Sequence, residues 1–225
     1  LHRLPVILAL DPFTSGDPLE WVGGIVGETR DLVSGYKIGL LLVLRLLEKG
    51  YSLRDLAGEL SGVELVVVDF KLADIPDVVA SVIDILGGHG YGKFIVHPFT
   101  GGLRELVERG VDPGDLILVA SMSHRGSSEF IDKHWRDFVE LALDIGAWGV
   151  VIGANKPGII AGARRLIDER GGGVKILSPG VGAQGAEPFT AIKSGGDYEI
   201  IGRMVTGSSN PREKLLELAE AYWGG

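Results

Sequence analysis

Three charged residues crowd a place where a buried strand should carry none: Asp69, Lys71 and Asp74 in VVVDFKLADIPD (66–77). Removing an unpaired ion from water costs several kcal/mol, so either the chain surfaces here or charge has been gathered for chemistry. Residues two apart on a strand share a face, which points Asp69 and Lys71 the same way as Val67. A fixed carboxylate beside an ammonium has a definite use. A ligand carboxylate placed near Asp69 or Asp74 is repelled, whereas a carbanion formed beside Lys71 is stabilised and protonated; that is decarboxylation chemistry. Lys37, in SGYKIG, puts a second lysine inside an apolar strand, where lysine is rare. Two lysines alternating with two carboxylates form a largely self-neutralised array. The structural readings of the same residues are an ion pair for Asp69 with Lys71 and a helix N-cap for Asp74, just ahead of Pro76.

A second constellation lies near the C-terminus. SPGVGAQGAEP (178–188) is Gly-rich, and IIGRMVTGSSNP (200–211) follows another apolar run. The turn after Pro179, with backbone N–H groups at Gly180 and Val181, and the N–H of Gly202, with Arg203 to chelate oxygens, read as a phosphate site. Gln184 is the only glutamine in the chain, and its amide is a further donor. In SMSHRGSSEF (121–130), Ser123 can donate and accept at the edge of an amide-containing ring such as a pyrimidine. A hydrolase reading of Ser123 with His124 fails, because the two are adjacent and no G-x-S-x-G elbow exists. His97 reads as a satisfied strand-end histidine, the tryptophans as packing residues, and no His/Asp/Glu spacing marks a metal site.

Eight short apolar runs must position these groups: 6–11, 34–39, 64–70, 93–98, 115–121, 149–153, 174–180 and 198–203. They are continuously apolar rather than alternating, as in a parallel sheet covered on both faces. Amphipathic helical segments separate them, several ending on Gly. Strand and helix recurring every 20–30 residues or so predict one (β/α)8 barrel over residues 1–225, with an open doubly wound sheet as the alternative. Barrel active sites sit at the C-terminal strand ends, which is where Asp11, Lys37, Asp69, Lys71, Ser123, Pro179, Gly202 and Arg203 fall.

Bulk properties agree. The chain has 225 residues, 45% hydrophobic, and a net charge of −8, which with no basic cluster argues against nucleic-acid binding. No apolar run is long enough to span a membrane. The N-terminal LHRLPVILALD is too short for a signal peptide, so a cytoplasmic soluble protein is expected. Without cysteine there is no disulfide or thiolate chemistry. Two Asn, one Gln and two Met lean towards a thermophilic source.

ALD at the first strand, YKIG, DFKLADIP, MSH-x-G, SPGVGAQG and IIGR occur in that order from Asp11 to Arg203. Together they resemble the orotidine 5′-phosphate decarboxylase family in its archaeal form, D-x-K-x-x-D being the most diagnostic element. The resemblance implies that Lys71 protonates C6 of a pyrimidine nucleotide after carbon dioxide leaves, with Asp69 crowding the substrate carboxylate. It implies that Lys37 and Asp11 serve the ribose hydroxyls, that Ser123 meets the pyrimidine edge, and that Gln184, Gly202 and Arg203 hold the phosphate, under a lid running from Pro179 to Pro188. Asp74 would reach the neighbouring subunit's site in a homodimer, and Ile75 and Val78 would contact the substrate. No metal or organic cofactor is implied. Val78 stands where the family usually has Thr, which removes a ribose hydrogen bond worth about 1 kcal/mol, and Arg125 replaces a common Pro. Two rivals are sugar-phosphate relatives that form enediolates on Mg²⁺, and a phosphate-binding barrel without catalysis. Lys37 with the MSH and GAQG segments favours the nucleotide enzyme over the first. A carboxylate beside a substrate carboxylate, useless for binding alone, disfavours the second.

Overall fold

The computed structural model describes residues 3–12, 16–182 and 185–223. Its strands are β1 (Leu4–Leu10), β2 (Val33–Gly39), β3 (Val66–Leu72), β4 (Lys93–Val96), β5 (Leu116–Val119), β6 (Gly149–Val151), β7 (Lys175–Pro179) and β8 (Tyr198–Ile201). Each pairs in parallel with the next, and β8 closes on β1. The expected (β/α)8 barrel is therefore present, and the open sheet is excluded.

The continuous apolar runs have the predicted cause. One face of each strand looks into the barrel, where Ile7, Val67, Ile95, Ile117, Leu177 and Ile200 form a buried cluster. The other face, with Val6, Leu8, Tyr36, Ile38 and Leu118 among its residues, packs under the helices. Trp148 stacks on Tyr198 at 6.1 Å, and both pack on the interior cluster from the N-terminal ends of β6 and β8.

The helices are α1 (Pro18–Thr29), α2 (Leu40–Glu48), α3 (Leu53–Glu59), α4 (Pro76–Gly87), α5 (Leu103–Glu108), α6 (Trp135–Ile145), α7 (Pro157–Glu169), α8 (Thr190–Lys193), α9 (Arg203–Thr206) and α10 (Pro211–Trp223). Among the described residues these ten exceed the eight expected because β2 is followed by two helices and β8 by a short helix before α10. α3 begins with a reciprocal Ser52–Asp55 capping box, which nucleates a helix too short to show an apolar period. α2 buries Leu42, Val43 and Leu46 but exposes Leu40, Leu41, Leu44 and Leu47, a stripe at helical spacing facing outward.

β3 departs from the simple strand. Val68 pairs with Phe94 and Leu72 with Val96, so four residues of β3 advance against two of β4. Within this bulge Lys71 has φ +45°, a left-handed conformation that costs a side-chain-bearing residue roughly 1–3 kcal/mol. Alternation thus places Val67 and Asp69 as expected, but not Lys71, whose position comes from the bulge.

Candidate active site

The upper interior of the barrel is built by continuing its alternation. Lys37 is in register with Ala9 on β1 and Val67 on β3, and Gly39 is in register with Asp69. Lys37 therefore enters from the barrel wall one layer below the rim. Its Nζ lies 3.2 Å from Asp11 Oδ2 and 3.4 Å from Asp69 Oδ2. The lysine is buried, its side chain only 9% exposed, so the two carboxylates replace the water it has lost. Gly39 makes room: a Cβ there would sit 2.7 Å from Asp11 Oδ1 and 3.4 Å from Lys37 Nζ.

Lys71 comes over the rim from the bulge, and its Nζ donates to both oxygens of Asp69, at 2.8 and 2.9 Å. Asp69 thus lies between two ammonium groups. Burial opposes its ionisation, but Lys37 and Lys71 outweigh that cost and hold its carboxyl below the ordinary range. Behind this row, His97 is buried with an Nδ1 that no group among the described residues reaches. Burial, then the nearby Lys71 charge, lowers its pKa, so it presents a neutral ring.

The charged row lines a cavity of about 340 Å³. Asp11, Lys37, Asp69 and Lys71 form one wall, with Ile95, Val151 and Ile200 around it. Pro179, Gly180 and Val181 from the β7 end and Gly202 and Arg203 from the β8 end form another. Ser123 lines it too, accompanied by Met122 and His124. Of the residues singled out from sequence, Asp74, Ile75 and Val78 do not line it. All three are exposed, and Asp74 Oδ1 accepts from the Ile75 N–H at 2.7 Å. The N-cap of α4 is Ile75, so Asp74 is not the helix cap that local sequence offered. Gln184 lies outside the described residues.

The segment carrying Ser123 is held by a network that sequence reading missed. Ser121 Oγ donates to Asp132 Oδ1 at 2.7 Å, Ser127 Oγ donates to the same oxygen, and Lys156 Nζ pairs with Oδ2. Ser127 Oγ in turn accepts from the Met122 N–H at 3.0 Å, and Asn155 Nδ2 donates to the Ser123 carbonyl at 2.9 Å. Desolvation of Asp132 is outweighed by Lys156, Ser127 and Ser121, leaving its pKa lowered. Asp132 and Lys156 are 24 positions apart, too distant for any local spacing to announce.

An apolar-sided cavity at the C-terminal end of a barrel, with a lysine–carboxylate row on one side and a Gly-rich segment with arginine on the other, defines a (β/α)8-barrel enzyme. Comparison with known proteins narrows this. Residues 4–218 match the model of the "Orotidine 5'-phosphate decarboxylase / HUMPS family", and the chain belongs to that family. The orotidine 5′-phosphate decarboxylase of Pyrococcus abyssi is 35% identical over 219 residues, covering 97% of this chain and 99% of that one. That of Aeropyrum pernix is 40% identical over 222 residues, covering 96% and 87%. The crystal structure of the Pyrococcus horikoshii enzyme superposes with a TM-score of 0.79 at 30% identity, covering 98% of this chain and all of the other.

The charged row has a consequence for acid stability. Because the pKa of Asp69 is depressed, its stabilising contribution is present above about pH 4 and is lost as pH falls through the lower folded value. Wild type should therefore lose stability on acidification more steeply than Asp69→Asn, in urea midpoints from about pH 6 to about pH 2. Near neutrality the variant should be less stable by about 3 kcal/mol, since two cations lose their shared partner. Parallel acid profiles would contradict the assignment.

Proposed function

We infer that the chain decarboxylates orotidine 5′-phosphate to uridine 5′-phosphate, within one catalytic barrel domain. The observation that carries this reading is the ionised Asp69 clasped between Lys37 and Lys71 at the edge of the cavity. In this reading the nucleotide's phosphate lies at Gly180, Val181, Gly202, Arg203 and Gln184, and its base edge meets Ser123. The ribose hydroxyls face Asp11 and Lys37, and the C6 carboxylate faces Asp69.

The step balances without a further reactant. The C6–carboxylate bond breaks and carbon dioxide leaves with no electron pair. The pair remains on C6, where it takes a proton from Lys71 Nζ, and the amine regains its proton from solvent. Repulsion between Asp69 and the substrate carboxylate disappears as carbon dioxide departs, while attraction between the carbanion and Lys71 grows. Stabilisation is thus larger in the transition state than in the ground state. Apolar Ile95, Val151 and Ile200 keep the dielectric low and strengthen both effects. The same row disfavours the Mg²⁺ enediolate relatives, because Lys37 and Lys71 already satisfy the carboxylates a cation would need.

We further read the active form as a homodimer in which Asp74, with Ile75 and Val78, completes the neighbour's site. Support comes from exposure: Ile75 is 61% exposed and Val78 42%, at the start of α4 after β3, and Phe99 is 59% exposed in the turn after β4, while the helix after β2 exposes the leucine stripe of α2. Such a concentration of apolar surface on adjacent βα units fits an interface. A cytoplasmic location and a thermophilic source complete the reading. The first is supported by the soluble enzyme family, the second by the scarcity of Asn, Gln, Met and Cys. No helix among the described residues is long and apolar enough to cross a membrane.

Two experiments test this. Lys71→Ala should abolish the loss of orotidine 5′-phosphate absorbance while binding of uridine 5′-monophosphate persists; substantial remaining turnover would remove Lys71 from the chemistry. Mixing inactive Lys71→Ala with inactive Asp74→Ala after subunit exchange should restore about a quarter of wild-type activity, because half the dimers are mixed and each has one intact site. No recovery, with exchange demonstrated, would refute the shared site.

A further inference from the structure

β8 supplies Ile200, Gly202 and, just beyond, Arg203 to the cavity. Glu199 alternates with Ile200 and faces the helix layer, in register with Val6 on β1 and Ser178 on β7. It has no exposed surface, and no cation pairs with it among the described residues. A lone carboxylate in a layer of Val, Leu and Ile is costly, and burial raises its pKa against the opposing pull of backbone N–H groups. What offsets the cost is specific. Oε2 accepts from the Phe189 N–H at 2.7 Å, and Oε1 accepts from the Ala191 N–H at 2.9 Å.

Those two residues end the returning arm of the Gly-rich segment. Phe189 is held with φ +64°, unusual for a residue with a side chain, and its ring packs 4.7 Å from that of Tyr222 on α10. Upstream, the Thr190 N–H donates to the Glu187 carbonyl, and Ala186 bridges Val181 while accepting from the Gly182 N–H at 2.8 Å. Val181 lines the cavity. Hydrogen bonds, joined by the short stretches of backbone between them, therefore link the Glu199 carboxylate through the returning arm to Val181, which shares a wall of the cavity with Gly202 and Arg203.

We propose that Glu199 is a positioning residue for the phosphate end of the cavity, tying the Gly-rich segment after β7 to the strand that delivers Gly202 and Arg203. Glu199 touches no substrate. It makes the two sides of the phosphate site a single piece, so that their donors are arranged before the ligand arrives and no binding energy is spent ordering them. The inference rests on the phosphate being bound between these two sides.

The test uses two variants of the full chain. Glu199→Gln keeps the shape but turns one acceptor into an amide N–H₂ that meets a backbone N–H. Glu199→Leu removes both acceptors while suiting an apolar layer, where replacing a buried charge is often neutral or stabilising. Each is assayed on orotidine 5′-phosphate and on orotidine, which lacks the phosphate, with the melting temperature recorded. Both variants should lose about tenfold or more in kcat/KM on the phosphorylated substrate, chiefly through a raised KM, and far less on orotidine. Equal proportional losses on both substrates, or none on either, would overturn the proposal and leave Glu199 a purely structural residue. If Glu199→Gln fails to fold, Glu199→Leu carries the same comparison. A wild-type protein inactive on orotidine 5′-phosphate would overturn the proposed function itself, a result distinct from a variant that behaves like an active wild type.

Discussion

The buried Lys37 ammonium, shared between Asp11 and Asp69, is the interaction on which the site depends. A lysine is tolerated at this depth only because two carboxylates meet it, and Asp69 stays ionised there only because Lys37 and Lys71 outweigh its desolvation. Each charge is the condition for the next. Removing any one leaves its neighbours with one counter-charge fewer in a partly dry site, which is destabilising. The result is a row of fixed charges that need not reorganise as a reaction proceeds, which is the main physical advantage of an enzyme over water.

The barrel supplies what the row requires. Parallel closure brings β1, β2 and β3 side by side, so Asp11, Lys37 and Asp69 meet across neighbouring strands although 58 positions separate the first from the last. Gly39 leaves the space their side chains fill. The strained bulge at Lys71 turns its ammonium back over Asp69, a placement regular pleating would not give. That strain is held by the barrel around it, as is common where geometry serves chemistry. On the far side, the Asp132 and Glu199 carboxylates accept hydrogen bonds from the segments after β5 and β7 and so tie the cavity's polar walls from behind.

What was legible in the sequence follows from what is local. The strands could be read because burial on both faces writes an unbroken apolar run, and Lys37 because a charge interrupts one. Asp69 could be placed by alternation from Val67. Lys71 was found for a reason that only partly holds, since no residue pattern announces a bulge with a left-handed lysine. α3 was missed because its seven residues are set by a capping box rather than by an apolar face. Asp132, Lys156 and Glu199 went unremarked because their partners are distant or are backbone N–H groups, which leave no trace in residue type. Asp74 was marked by the family motif, and its exposure outside the cavity is a tertiary fact that its neighbours in sequence do not encode.

The central claim is that the lysine–carboxylate row carries out the decarboxylation by itself. The most direct measurement is the loss of orotidine 5′-phosphate absorbance on adding protein freed of metals by EDTA and gel filtration. The account predicts undiminished turnover, unaltered when Mg²⁺ is restored. Silence without metal, followed by activity on a sugar phosphate once Mg²⁺ is returned, would contradict it and assign the same barrel to enediolate chemistry.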